Sequence, residues 1–138
     1  MKLIRRASAN WKGTGMEGKG SVSTQSTTLN NANLSFKTRF EDGVGTNPEE
    51  LIGAAHAGCF SMKLSFVLNE AGFTADTIDT NAKVVFEDGK ITQVQLDVKA
   101  SVPGMSEEAF QKAALDAKEN CPISQLLKAE IVLTAALV

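Results

Sequence analysis

Two cysteines and one histidine are the side chains best suited to covalent chemistry in this chain of 138 residues. Cys59 follows His56 by three residues, a spacing that places both on one face of a helix. Cys121 stands directly before Pro122, which is typical of a helix start, where backbone N–H groups favour a thiolate. The pattern allows a redox pair, a Cys–His dyad, or thiols that only fill the core. The cysteines are 62 residues apart, so their spacing does not prove that they meet.

His56 is the only histidine, and we favour a hydrogen-bonded core histidine over a catalytic dyad. A dyad needs a third group to orient the imidazole, and the sequence offers none that is evident. One histidine and two cysteines are also too few for a structural zinc site. No haem or flavin motif is present, so we expect neither a metal nor a cofactor.

A thiol on a buried helix needs a positive charge nearby, because burial raises its pKa. Arg39 is the main candidate, at the end of a predicted strand that leads to the helix of Cys59. Glu49 could orient this arginine through a bidentate contact, or it could simply be a charge at the helix N-terminus. It precedes Cys59 by ten residues, or about 15 Å of helix. Glu49 would therefore act through the arginine or from another subunit.

The segment that carries Cys59 has strong signals of a long helix. Asn47 is a suitable cap, Pro48 suits the first helical position, and Glu50 lies at the capping-box position. The helix is expected to run to Leu68, with Gly72 as its stop. It is apolar on almost every face, which predicts burial on all sides. One sheet covers only one side, so we expect a homodimer with these helices near its centre.

Alternating polar and apolar residues predict strands at residues 3–11, 20–29, 34–40, 73–86, 90–102 and 130–138. Asp88-Gly89 is typical of a tight hairpin. A second main helix is predicted over residues 106–120 and a short one over residues 121–128. The expected fold is α+β, with an antiparallel-rich six-stranded sheet around two main helices, in one domain of residues 1–138.

Composition narrows the possible partners. The chain has 14 Lys and Arg against 16 Asp and Glu, a net charge of −2, so a nucleic-acid partner is not expected. No apolar run reaches the roughly 20 residues of a membrane helix, and the N-terminus lacks a signal-peptide pattern. We therefore expect no membrane partner and a cytoplasmic location, where a permanent disulfide does not form.

Residues 45–62 (GTNPEELIGAAHAGCFSM) and 121–124 (CPIS) resemble the two cysteine motifs of the OsmC/Ohr family of thiol-dependent organic hydroperoxide reductases. Residues 38–41 and 71–74 also match, and the likeness covers nearly the whole chain. The resemblance implies an OsmC-like fold and an intertwined homodimer with two active sites at the subunit interface. It also implies a role in defence against oxidative and osmotic stress.

The same resemblance implies roles for four residues. Cys59 takes the place of the peroxidatic cysteine and Cys121 that of the resolving cysteine, with Arg39 and Glu49 assisting. Cys59 would become a sulfenic acid, and Cys121 would then close a disulfide. A dithiol reductant, of the lipoyl type in this family, would regenerate the two thiols.

An apolar helix around the thiol favours an organic hydroperoxide over hydrogen peroxide, and Phe60 and Met62 are candidate contacts for its hydrocarbon group. The residues alone are also compatible with two other functions. The chain could be a binding module for a small apolar molecule, with its cysteines in the core. It could also be a thiol sensor that reports oxidation to a partner without turnover.

Overall fold

The computed structural model describes residues 1–138, and its contacts divide the chain into two compact units, residues 1–51 and 52–138. The expectation of a single domain stays a prediction. The elements in chain order are β1 (Ala7–Lys12), β2 (Lys19–Thr24), β3 (Ala32–Leu34), α1 (Phe36–Phe40), α2 (Pro48–Glu70), β4 (Thr77–Glu87), β5 (Lys90–Ser101), α3 (Glu107–Asn120), α4 (Pro122–Leu126) and β6 (Glu130–Leu137).

The strands form two three-stranded sheets, ordered β1-β2-β3 and β4-β5-β6. All pairings are antiparallel except that of β5 with β6, which is parallel and is connected through α3 and α4. The α+β class is therefore confirmed, and the sheets are antiparallel-rich. The expectation of one six-stranded sheet is wrong within a single chain, because the six strands form two separate hydrogen-bonded sheets of three strands each.

The segment predicted as a strand over residues 34–40 is instead mainly helix α1. The Ser35 hydroxyl accepts a hydrogen bond from the Thr38 N–H at 3.1 Å, and the Thr38 hydroxyl accepts one from the Ser35 N–H at 2.9 Å. This reciprocal capping box starts a helix despite the alternating side chains. Arg39 consequently lies in the last turn of α1, not at the end of a strand.

Helix α2 begins as the sequence predicts. The side-chain oxygen of Asn47 accepts a hydrogen bond from the Glu50 N–H at 2.8 Å, which is the expected cap. The Glu50 carboxylate accepts from the Thr46 hydroxyl at 2.8 Å, whereas a capping box would direct it to a backbone N–H. The helix ends just before Gly72, whose φ of +89° is the left-handed conformation that glycine adopts most easily.

Only one face of α2 is buried within the chain, whereas the sequence predicts burial on all sides. The buried positions recur at helical spacing: Gly53, His56, Phe60, Leu64 and Leu68. On the opposite face, Met62 is 65% exposed and Phe66 is 60% exposed. The apolar composition of α2 is therefore only partly explained by packing inside one chain.

By length and composition, α2 would also be long and apolar enough to cross a membrane, contrary to the sequence expectation. The core helix of a water-soluble protein can have the same length and composition. The buried face of α2 joins the hydrophobic core of the second unit.

The core of the second unit brings α2 together with β5, α3 and the cysteine that follows α3. Phe60 of α2, Val98 of β5 and Phe110 of α3 are fully buried in it, as is Cys121. The β4–β5 hairpin that faces this core turns at Asp88-Gly89, both with positive φ, as the sequence predicts. These elements hold Cys121 in the same core as helix α2.

Candidate active site

The two cysteines meet in the second unit. The Cys121 thiol is fully buried and donates a hydrogen bond to the sulfur of Cys59, which is half-buried, at a Sγ–Sγ distance of 2.9 Å. Both are free thiols. A disulfide bond is about 2.05 Å long, so a small approach of the two sulfurs would allow it to form.

Cys121 reaches Cys59 because it joins two helices. It is the C-cap of α3, where its N–H bonds the Ala117 carbonyl, and the N-cap of α4. Its side chain makes no capping hydrogen bond and is directed to Cys59 instead. The predicted helix start is present, but α4 has only five residues.

The surroundings of Cys59 disfavour its thiolate. Burial raises the pKa of this thiol, and the interaction with the Cys121 sulfur raises it further. The backbone N–H of Ile123 and the positive charge of Lys63 lower the same pKa, but they do not offset the burial. These surroundings together therefore favour the protonated thiol over the thiolate.

The sequence analysis missed Lys63 as a charge near Cys59. The lysine is half-buried and lies four residues after Cys59 on α2, a spacing that makes the two side chains neighbours on a helix surface. That spacing was available in the sequence. A lysine four residues from a thiol on a predicted helix is the signal that identifies this charge.

His56 is a buried histidine with one hydrogen-bond partner. Its Nε2 lies 2.7 Å from the Ser124 hydroxyl of α4, and its Nδ1 is buried without a partner. Burial lowers the pKa of His56, so the imidazole is neutral at neutral pH. This agrees with the expected hydrogen-bonded core histidine. Ser124 belongs to the second cysteine motif, and its position in the sequence does not indicate His56 as its partner.

Arg39 and Glu49 form an ion pair within the first unit. The guanidinium donates to the carboxylate from Nη2 to Oε1 at 2.7 Å and from Nε to Oε1 at 3.1 Å. The Glu49 side chain is only 13% exposed, and that of Arg39 is 39% exposed. Such a charge-assisted contact restricts the orientation of the guanidinium. Arg39 and Glu49 are thus in contact, while their catalytic roles stay predictions.

A largely apolar cavity of about 320 Å³ lies in the first unit beside Arg39. Its walls include Trp11, Leu34, Phe36 and Phe40, and the two phenylalanine rings are 4.9 Å apart. Phe60, by contrast, is fully buried in the core of the second unit. The expectation that Phe60 contacts a substrate is therefore wrong, because its ring has no exposed surface.

Potential metal ligands do not converge in this structure. No group of three or more His, Cys, Asp or Glu side chains is arranged to hold a metal ion. The groups that the second unit brings together are two adjacent thiols with Lys63 near them, and the arginine–glutamate pair belongs to the first unit.

Comparison with known proteins finds similarity to one protein family. The family model described as OsmC-like protein matches residues 40–136. The peroxiredoxin OsmC of Escherichia coli (strain K12) is 49% identical over 137 residues, with 96% of each chain covered.

Solved structures share the fold. The OsmC-like protein from Mycoplasma pneumoniae superposes with a TM-score of 0.77 at 14% identity, covering 100% of this chain and 99% of that one. The organic hydroperoxide resistance protein OhrB of Bacillus subtilis gives a TM-score of 0.66 at 21% identity, covering 96% and 98%. At such low identity these two likenesses concern the fold alone.

The influence of Lys63 on Cys59 gives a first testable prediction. In a Cys121→Ser background, Lys63→Gln should raise the pKa of Cys59, because a charge that lowers it is lost. The pH profile of Cys59 alkylation should then shift to higher pH, with a rate at pH 7 reduced roughly two- to fivefold. The difference should shrink at about 1 M salt, which screens the charge.

Lys112→Gln is the matched control, since Lys112 lies on α3 and its ion-pair partner is Glu108. It should leave the alkylation profile unchanged. If the alkylation profile of Cys59 is the same with Lys63→Gln as in the Cys121→Ser protein alone, the Lys63 charge does not act on the thiol.

Proposed function

The chain belongs to the OsmC-like family, and on that basis we propose that it is a thiol-dependent peroxidase that reduces organic hydroperoxides and, more weakly, hydrogen peroxide. The observation that carries the proposal is the 2.9 Å contact between the sulfurs of Cys59 and Cys121. The names of two relatives, peroxiredoxin OsmC and organic hydroperoxide resistance protein-like, support the same class of activity. Its role would be defence against oxidative and osmotic stress.

The proposed reaction begins at Cys59, the more accessible of the two sulfurs. Its thiolate attacks one oxygen of ROOH, the O–O bond breaks, and the alkoxide takes up a proton to leave as the alcohol. Cys59 is thereby oxidised to a sulfenic acid. The Cys121 sulfur then attacks the sulfenic sulfur, water leaves, and a Cys59–Cys121 disulfide forms. A dithiol, proposed to be of the lipoyl type, reduces the disulfide by exchange.

Positive charge has to compensate for the burial of Cys59. We assign this role chiefly to Arg39, which would stabilise the thiolate and the charge that develops on the reacting oxygens. Glu49 would orient the guanidinium through the contacts described above. The arginine and glutamate would act within one chain or across two subunits.

A homodimer is part of the proposal. Met62 and Phe66 leave a large apolar surface exposed on α2, and a second copy of the chain would remove it from water. We propose that the subunits intertwine around these helices, with each chain acting as one OsmC-like domain in the cytoplasm.

The two cysteines give the second prediction. Cys59→Ser should abolish peroxide reduction with dithiothreitol as donor, because serine is not a nucleophile here without a base. Cys121→Ser should consume about one peroxide per site and then stall as a sulfenic acid where the donor cannot reach it. A coupled peroxide-consumption assay and a sulfenic-acid probe measure both outcomes.

The same assay separates the other functions. A sensor would consume peroxide only stoichiometrically in the unmodified protein, and a ligand-binding module would consume none. Steady turnover by Cys59→Ser would contradict the mechanism directly.

Substrate size gives the third prediction. The cavity beside Arg39 is largely apolar, and each buried methylene contributes about 0.8 kcal/mol. The kcat/KM for cumene hydroperoxide should therefore exceed that for hydrogen peroxide by about ten- to hundredfold. Phe36→Ala should reduce the first value much more than the second, which serves as the internal control. Equal losses for both peroxides would mean that the cavity does not bind the hydrocarbon group.

Arg39 gives the fourth prediction. Arg39→Met keeps much of the side-chain length but removes the charge, so the pKa of Cys59 should rise. The thiolate fraction at neutral pH falls about tenfold for each unit of that rise. The peroxidase rate should therefore drop strongly at pH 7 and recover partly at high pH.

Glu49→Gln should lower the peroxidase rate less than Arg39→Met does, because it weakens the contact that orients the guanidinium but leaves the positive charge in place. The measurement is the pH profile of Cys59 alkylation in a Cys121→Ser background. An unchanged profile in Arg39→Met would remove Arg39 from the site while leaving the peroxidase proposal intact.

A further inference from the structure

Helix α4 brings two groups to Cys59 on α2. The Cys121 thiol at its N-cap bonds the Cys59 sulfur, and the backbone N–H of Ile123 lowers the pKa of that thiol. Both contacts with Cys59 depend on the position of α4 relative to α2. A displacement of this short helix would move the second thiol and the N–H away together.

Packing alone holds α4 weakly. The helix has five residues and none of them is fully buried, and Leu126 is 72% exposed. Ile123 and Leu127 reach the core only with part of their surface. Besides the contacts to the Cys59 sulfur, a side-chain hydrogen bond between Ser124 and His56 joins α4 to α2, at 2.7 Å.

His56 is a rigid point of attachment for this contact. It is fully buried and lies one helical turn before Phe60, which is itself fully buried in the core. It also precedes Cys59 by three residues, so the imidazole and the thiol lie on neighbouring parts of one helix face. The hydrogen bond therefore ties α4 to a fixed side chain close to Cys59.

We propose that His56 and Ser124 are positioning residues, whose hydrogen bond seats α4 on α2 and keeps the Cys121 thiol within bonding reach of Cys59. Neither residue touches the peroxide. The proposal deepens the proposed function, because it concerns the step in which the Cys59 sulfenic acid and the Cys121 thiol give a disulfide and water. The competing step is attack of the sulfenic acid on a second hydroperoxide, which yields a sulfinic acid and an alcohol.

When α4 is held on α2, the Cys121 thiol behaves as a reactant at high effective concentration. Loss of the His56–Ser124 hydrogen bond gives the two thiols more conformational freedom, and this freedom must be lost again when the disulfide forms. The hydrogen bond should therefore favour the disulfide at equilibrium and speed its closure. Without it, more of the sulfenic acid should be over-oxidised.

The first test uses Ser124→Ala, which deletes one oxygen atom at a half-buried position, so we expect the fold to persist. In glutathione redox buffers, the equilibrium constant for the Cys59–Cys121 disulfide should fall about two- to tenfold, the range for loss of one hydrogen bond. Ser124→Thr restores a hydroxyl and should return the constant to within about twofold of the original. Thermal unfolding of each variant verifies folding.

Ser61→Ala is the matched control. Ser61 also lies on α2, and its hydroxyl bonds the Thr80 hydroxyl of β4 at 2.7 Å and the Ala57 carbonyl of α2 at 2.8 Å, so its hydrogen bonds are not to α4. Its loss should leave the disulfide equilibrium unchanged. The proposal is overturned if Ser124→Ala keeps the original constant, if Ser61→Ala shifts it equally, or if threonine fails to rescue it.

The second test exposes each variant to excess cumene hydroperoxide and measures sulfinic acid at Cys59 by mass spectrometry. Ser124→Ala should give several-fold more sulfinic acid than the unchanged protein and Ser61→Ala. The glutathione equilibrium does not require peroxidase activity. A protein that forms no sulfenic acid would therefore refute the proposed function, while the equilibrium would still decide the role of His56 and Ser124.

Discussion

Burial of one face of α2 in the core of the second unit orients the groups that this helix contributes to the thiol site. Phe60, Leu64 and Leu68 have no exposed surface there, and full burial of a large apolar side chain contributes about 1.5–3 kcal/mol. Rotation of the helix about its axis would expose all three. The direction in which His56 and Cys59 project from α2 is therefore fixed by side chains that take no part in the chemistry.

The same burial has a chemical cost, because it raises the pKa of Cys59. Two groups lower this pKa, the backbone N–H of Ile123 in α4 and the ammonium group of Lys63 in α2. In the proposed function Arg39 contributes the remaining charge. A nucleophile in apolar surroundings also suits a peroxide with a hydrocarbon group, so the feature that weakens the thiol would favour the substrate.

Local signals predicted the elements that they control directly. Asn47 and Pro48 start α2, and Asp88-Gly89 turns the β4–β5 hairpin, because caps and tight turns depend on a few adjacent residues. The prediction failed for residues 34–40, where alternating side chains favoured a strand. There the reciprocal hydrogen bonds of Ser35 and Thr38 start helix α1 instead. Strand alternation is a weaker local constraint than a completed capping box.

The sequence by itself determined the α+β class, the long apolar helix, the family resemblance and the residue types available for thiol chemistry. Only the tertiary structure decided that Cys121 lies against Cys59, that Ser124 bonds His56, and that the strands divide into two sheets. These are contacts between segments far apart in the chain. They depend on how the core packs, and that packing minimises the free energy of the whole fold, so no short stretch of sequence specifies it.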